Sequence, residues 1–173
     1  MGVIIRRATE DDAELLSKIA LKIFLDTFGQ QNNPRDIEIH SARSYGAEIQ
    51  LRELQDPGNV YLIAEADGVP AGFAMLGEPK SESCNAFESP IELFRFYVDE
   101  KWHGQGIAQQ MMDAVDDVAR SLGGRTLCLG VWEHNPRAIR FYEKTGFRDA
   151  GSQEYMLGED LQTDRVMVRE ILS

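Results

Sequence analysis

The sequence predicts a mixed α/β fold: a mostly antiparallel sheet with a parallel strand pair near its centre, flanked by helices. Three observations predict it. Tyr61 to Ala66 and Ala71 to Leu76 are strand-like runs on either side of Asp67-Gly68, a hairpin turn signal, which makes an antiparallel pair. Leu93 to Val98, a helical stretch ending near Leu122, and Thr126 to Trp132 form a strand–helix–strand series, the pattern of a right-handed parallel crossover. Phe147 to Met156 and Asp164 to Ile171 read as two closing strands.

Taken in order, Val3 to Arg7 is a short, partly β-branched strand. Thr9 with Asp12 three residues later resembles a capping arrangement for a helix beginning near Glu10. Ala13, Leu16, Ile19, Ala20, Ile23 and Phe24 keep helical spacing until Gln31-Asn32-Asn33-Pro34 interrupts it. A second, less periodic helical stretch runs from about Arg35 to Leu54, and Lys80 to Pro90 is polar and reads as a loop. Leu93 to Val98 is apolar except for Arg95, and Asp99-Glu100-Lys101 ends it. Ile107, Met111, Val115, Val118 and Leu122 then recur at steps of four, four, three and four, a helix with one buried stripe. Gly123-Gly124 stops it, and Thr126 to Trp132 is apolar at all but its first position, as expected of a strand covered on both faces. Asn135 and Pro136 suit the N-cap and first position of a short helix that Gly146 closes.

The length of 173 residues suits one domain, 1–173, with a real core. With 18 basic and 29 acidic residues the net charge is −11, which argues against general nucleic-acid affinity and favours cationic small molecules or plain solubility. No apolar run reaches membrane-spanning length. Two cysteines, Cys84 and Cys128, make no metal-binding or redox spacing, and their number suits a reducing compartment, so a cytoplasmic location, no metal and no membrane partner are expected.

The turn at His103-Gly104-Gln105-Gly106-Ile107-Ala108 leads into the central helix, with small residues where a ligand would approach free N–H groups at its positive end. An anion is the suited ligand, most simply a phosphate. A dinucleotide fingerprint would need a third Gly at Gln109, and a P-loop would need Gly-Lys-Ser/Thr, so neither fits. The turn resembles the Gln/Arg-x-x-Gly-x-Gly/Ala signature of the GNAT superfamily of acetyl-CoA-dependent N-acetyltransferases, with His103 in place of the usual Gln or Arg. Asn135-Pro136-Arg137-Ala138-Ile139-Arg140-Phe141-Tyr142-Glu143-Lys144-Thr145-Gly146-Phe147 resembles the second GNAT hallmark, Asn-x-x-Ala-x-x-Phe-Tyr-x-x-x-Gly-Phe, at every defined position, one strand after the turn. Phe24-Leu25-Asp26-Thr27-Phe28, Leu129-Gly130-Val131-Trp132-Glu133 and Gln162-Thr163-Asp164 are similar to stretches of PaiA-like polyamine acetyltransferases.

The resemblance implies a GNAT fold and an acetyl group passed from acetyl-CoA to a small-molecule amine by direct attack in a ternary complex. Amine acetylation needs a neutral amine, a stabilised oxyanion and a proton for the departing thiolate. Tyr142 matches the GNAT residue that hydrogen-bonds the CoA sulfur, and Glu92 lies where several members carry a general-base carboxylate. Phe96, Tyr97 and Val98 match the backbone that holds the acetyl carbonyl and pantetheine arm. The pyrophosphate falls to His103 through Ala108 with Asn135, and Arg137, Arg140 and Lys144 share a helical face that could replace the cation lost at His103. From Arg120 to Arg148 there are six basic and two acidic residues, against twelve and twenty-seven elsewhere, which suits an anionic cofactor. Asp26, Phe28 and Glu133 are the acceptor-site candidates. A polyamine is the favoured acceptor, with aminoglycosides, amino acids and protein N-termini as alternatives, a non-catalytic acyl-CoA sensor as the rival class, and a homodimer as a possible assembly.

Overall fold

The computed structural model describes residues 1–171. Seven strands form one sheet in the order β1-β2-β3-β4-β5-β7-β6. They are β1 (Val3–Arg7), β2 (Asn59–Ala66), β3 (Val69–Gly77), β4 (Pro90–Val98), β5 (Thr126–Trp132), β6 (Arg148–Leu157) and β7 (Asp160–Glu170). Every neighbouring pair is antiparallel except β4 and β5. The hairpin turn falls at Asp67 and Gly68, both with positive φ, where residues with short or absent side chains are least strained.

The helices are α1 (Ala13–Phe28), α2 (Pro34–Ser44), α3 (Ala47–Gln55), α4 (Glu82–Asn85), α5 (Ile107–Ser121) and α6 (Pro136–Lys144). The single helix expected from Arg35 to Leu54 is two, because Tyr45 is extended and Gln50 caps the restart: its Oε1 accepts from Gly46 N at 2.8 Å and its Nε2 donates to Ser44 O at 2.7 Å. The expected loop at 80–90 contains the short α4, which Ser81 caps by accepting from Cys84 N.

One face of the sheet carries α5 and α6 over a core that includes Leu62, Leu76, Leu93, Met111, Val115, Leu127 and Leu129. The other carries α1 and α3 over Leu16, Ile23, Ile63, Phe73 and Met75. Of the stripe expected on α5, Ile107, Met111, Val115 and Val118 are buried, whereas Leu122 lies past the helix end and is exposed.

Two irregularities of β4 shape the centre of the molecule. The β3–β4 register jumps between Met75 and Leu76, which leaves Phe94 as an extra residue and puts Phe94 and Arg95 on the same face. Without that bulge the charge of Arg95 would point into the α5 core. It turns instead to Glu53 Oε1 at 3.0 Å and Tyr61 Oη at 2.6 Å on the α1–α3 side. Second, the parallel pairing of β4 with β5 runs only from Pro90 to Glu92, so beyond Glu92 the two strands part and the sheet opens.

Candidate active site

Two cavities occupy that opening and share a wall. The first, of about 350 Å³, is lined by Phe96, Tyr97 and Val98 of β4, by Trp102, His103, Gly104, Gly106, Ile107, Ala108 and Gln109 of the glycine turn, and by Asn135, Arg137, Ala138, Phe141 and Tyr142 of α6 with Thr27. The second, of about 190 Å³, lies under α2 and the β6–β7 hairpin. It is lined by Phe24, Phe28, His40, Tyr45, Arg95, Trp132, Tyr155, Gln162 and Asp164, among others. Phe96, Tyr97, Asn135, Ala138 and Tyr142 line both.

The first cavity has the character of an anion and cofactor site. Gly104 and Gly106 have φ of 77° and 83°, the left-handed region that favours glycine, and a Cβ on either would meet open space. Their conformation turns the chain so that no backbone N–H from Gly104 to Gln109 donates a hydrogen bond among the described residues. The first turn of α5 contains no acidic residue to oppose an anion. The indole Nε1–H of Trp102, which the sequence did not single out, is buried without a partner among the described residues and lies in the same wall. Free donors at a helix N-terminus, an orphaned indole N–H and the Arg137 cation suit the phosphates and pantetheine amides of a coenzyme A thioester.

His103 acts as a clamp, since its Nε2 donates to Val98 O at 2.8 Å and so pins the glycine turn to the end of β4. Gln105, Arg140 and Lys144, expected at the cofactor, do not line this cavity. Asn135 does, and its Oδ1 also accepts from Ala138 N at 3.3 Å, capping α6.

Tyr142 stands where the cavities meet. Its ring is clamped by Phe96, Phe141 and Phe147, with centroids at 6.2, 5.7 and 5.5 Å, while its hydroxyl makes no hydrogen bond among the described residues. Burial pushes the phenol well above its ordinary range, so it stays protonated and able to donate.

The second cavity is an aromatic chamber. Phe24 stacks on His40 at 4.7 Å, Phe28 meets Trp132 at 5.9 Å and Tyr97 at 6.3 Å, and His40 meets Tyr155 at 6.0 Å. Burial, and secondarily Arg95, lowers His40 to about 4, so the ring is neutral at pH 7. Asp164 is only 8% exposed, and burial, with Glu133 nearby, pushes it up to about 6.

Three expected residues sit elsewhere. Glu92 lines neither cavity: its Oε1 accepts from Lys80 N, Ser81 N and Ser81 Oγ at 2.9, 3.0 and 3.1 Å, so it holds the loop before α4 instead of facing an acceptor. Asp26 pairs with Lys22 at 2.9 Å on the exposed side of α1, and Glu133 lies outside the chamber beside Asp164; Phe28 alone of the acceptor-site candidates lines it. Cys84 and Cys128 are joined by a disulfide across 44 residues, so neither is a free thiol for a covalent acetyl step.

The model of the acetyltransferase (GNAT) family matches residues 20–147. The chain belongs to this family. An uncharacterised N-acetyltransferase of Mycobacterium tuberculosis is 37% identical over 161 residues, covering 93% of this chain and 99% of its own. The spermine/spermidine N(1)-acetyltransferase of Bacillus subtilis is 31% identical over 107 residues, which is 61% of this chain and 66% of that protein. Among solved structures, the PaiA N-acetyltransferase of Thermoplasma acidophilum in complex with coenzyme A superposes with a TM-score of 0.81 over 98% of this chain and 99% of that one, at 21% identity. The chain is thus a GNAT acetyltransferase, an enzyme that takes its acetyl group from acetyl-CoA.

Proposed function

We propose that this GNAT enzyme acetylates a primary amine by direct attack on acetyl-CoA, with the cofactor in the larger cavity and the amine in the aromatic chamber. The observation that carries this is the shared wall: Tyr142, with an unpartnered hydroxyl, faces both cavities. The pyrophosphate lies on the N–H groups of Gly104 to Ala108, with Arg137 beside it. The pantetheine arm runs along Phe96 to Val98 and brings the thioester to Tyr142. The amine enters from the other side and, once its ammonium proton has left, forms the new N–C bond; the C–S bond breaks, the Tyr142 hydroxyl gives the sulfur its proton, and the proton still in excess on nitrogen restores the phenol. The raised proton affinity of the phenol does not defeat this step, because a thiolate in the same dry wall is disfavoured by the same loss of water. With both cysteines locked in the disulfide, direct transfer needs no acyl-enzyme.

A polyamine is the acceptor class favoured. The chamber offers aromatic faces, which attract ammonium groups, and, among the described residues, one carboxylate without an ion-pair partner; the whole chain carries −11. The resemblance to the Bacillus subtilis spermine/spermidine enzyme over part of the chain points the same way. In an amine panel with acetyl-CoA, spermidine should outperform a neutral-tailed monoamine of similar length, and the advantage should shrink as salt rises. Equal kcat/KM for the two at low salt would count against a polycation site.

A further inference from the structure

An alkylamine is mostly ammonium at neutral pH, and its lone pair is free to attack only after a proton leaves nitrogen. A proton acceptor inside the chamber lets the enzyme use the abundant ammonium form instead of waiting for the scarce neutral one. Glu92 is committed to the Lys80–Ser81 backbone, and neutral His40 binds a proton too weakly to take one from an ammonium. Arg95 is paired with Glu53 at 3.0 Å, and burial pushes Tyr155 up to about 12, so neither is a carboxylate-like base at pH 7.

Asp164 remains. It lies on β7 opposite Trp132, at the end of β5 where β4 has already parted from it. Gly130 on the neighbouring strand leaves room for it and for Gln153, its partner on β6, since a Cβ there would overlap the Gln153 amide and stand 3.1 Å from Asp164 Oδ2. Although more than nine-tenths buried, its carboxylate makes no hydrogen bond or ion pair among the described residues. A residue this buried, whose carboxylate opens onto an aromatic chamber with no protein partner among the described residues, is a place that a bound ammonium completes.

We propose that Asp164 is the catalytic base for the acceptor: the ammonium docks on its carboxylate and gives it the proton that must leave before attack. The inference rests on the amine-acetylation reading above. The N–H bond breaks as an O–H bond forms on Asp164, and the nitrogen lone pair then makes the N–C bond. The C–S bond breaks with its electrons on sulfur, which takes the Tyr142 proton. The proton still in excess on nitrogen restores Tyr142, and Asp164 returns its own to water. Its proton affinity suits a base, since burial and Glu133 raise it without neutralising it at pH 7. The other ionisable groups lining the chamber are His40 and Tyr45 of α2 and its end, Arg95 and Tyr97 of β4, Tyr142 of α6 and Tyr155 of β6.

The test compares Asp164→Asn with wild type on two acceptors: the best amine of the panel, and its aminooxy analogue, in which oxygen beside the nitrogen leaves the group uncharged at neutral pH. With the ammonium acceptor, kcat/KM should fall by roughly 10²-fold or more; with the analogue, by less than about threefold, at unchanged CoA affinity. Equal losses on both acceptors, or none on the amine, overturn the assignment. A second measurement needs no variant: the wild-type kcat/KM profile for the amine should show a limb near pH 6 that the analogue lacks, and the same limb for both overturns it. Wild-type enzyme that acetylates no amine brings down the underlying reading first; turnover with equal sensitivities brings down Asp164 alone.

Discussion

At the scale of single residues, Tyr142 is legible in the sequence and Asp164 is not, for a physical reason. Tyr142 belongs to a stretch whose spacing of cap, aromatic pair and terminating glycine is set within one short helix, so its surroundings travel with its neighbours. The surroundings of Asp164 are assembled from Gly130, Trp132, Tyr155 and the Glu133 charge, which only strand pairing brings together. Glu92 differs in the opposite way: its strand position is readable, but nothing local says that the loop before α4 folds back onto its carboxylate. The buried charge of Asp164 also has a stability consequence. Its folded value, about 6, lies above its unfolded value, so the folded chain binds the extra proton and stability falls as pH rises from about 4 through 6. Asp164→Asn should therefore melt higher than wild type at pH 7.5, by about 1–2 kcal/mol once water at the cavity mouth is allowed for, with the gap closing as pH falls through 6. His40 works in the other sense, its folded value of about 4 adding stability as pH rises toward 6.5, but it is common to both proteins and cancels. Thermal scans across this range check it, and a variant that melts lower than wild type at pH 7.5 would show that the carboxylate has a partner.

At the scale of elements, the glycine turn is readable because a left-handed backbone and a free helix start both leave traces in residue type. His103 is readable as a departure from the motif, but its role as a clamp on Val98 is not, since that contact depends on where β4 ends. The β4 bulge is hidden for a similar reason: Leu93 to Val98 reads as one apolar strand, and the extra residue at Phe94 shows only against the register of β3. If the turn binds pyrophosphate through its backbone, Gly106→Glu should weaken CoA binding at least tenfold, by blocking the approach and repelling the anion, on the order of 1.4–3 kcal/mol. Gly106→Ala carries the strain of the positive φ without the charge and separates the two effects. Calorimetry on folded protein decides; wild-type affinity in the Glu variant would remove the turn from the cofactor site.

At the scale of the whole molecule, the strand series and the paired motifs anticipate the sheet, its parallel centre and the family. They do not anticipate that Cys84 and Cys128 are covalently joined: the bond needs the short helix α4 to lie against β5, and the intervening residues read as a polar loop. Disulfides are rare in reducing compartments, so the cysteine count no longer supports a cytoplasmic location. The charge balance is informative in the reverse of the obvious sense. The chain is strongly acidic, yet the acids singled out for the acceptor, Asp26 and Glu133, lie outside the chamber, and among the described residues one buried aspartate, Asp164, faces it. What the fold contributes to the mechanism proposed is the parting of β4 from β5, which lets two cavities meet at a wall that includes Tyr142.

The most direct test of that arrangement is amine-dependent release of CoA thiol by wild type and Tyr142→Phe. The substitution keeps the ring among Phe96, Phe141 and Phe147 and removes a hydroxyl with no protein partner among the described residues, so stability should change by about 1 kcal/mol or less. A positioned acid contributes about 10² to 10⁴ in rate, so kcat should fall within that range while CoA affinity holds. Turnover within about threefold of wild type would contradict the account, because the sulfur would then leave without the proton that the junction is built to supply.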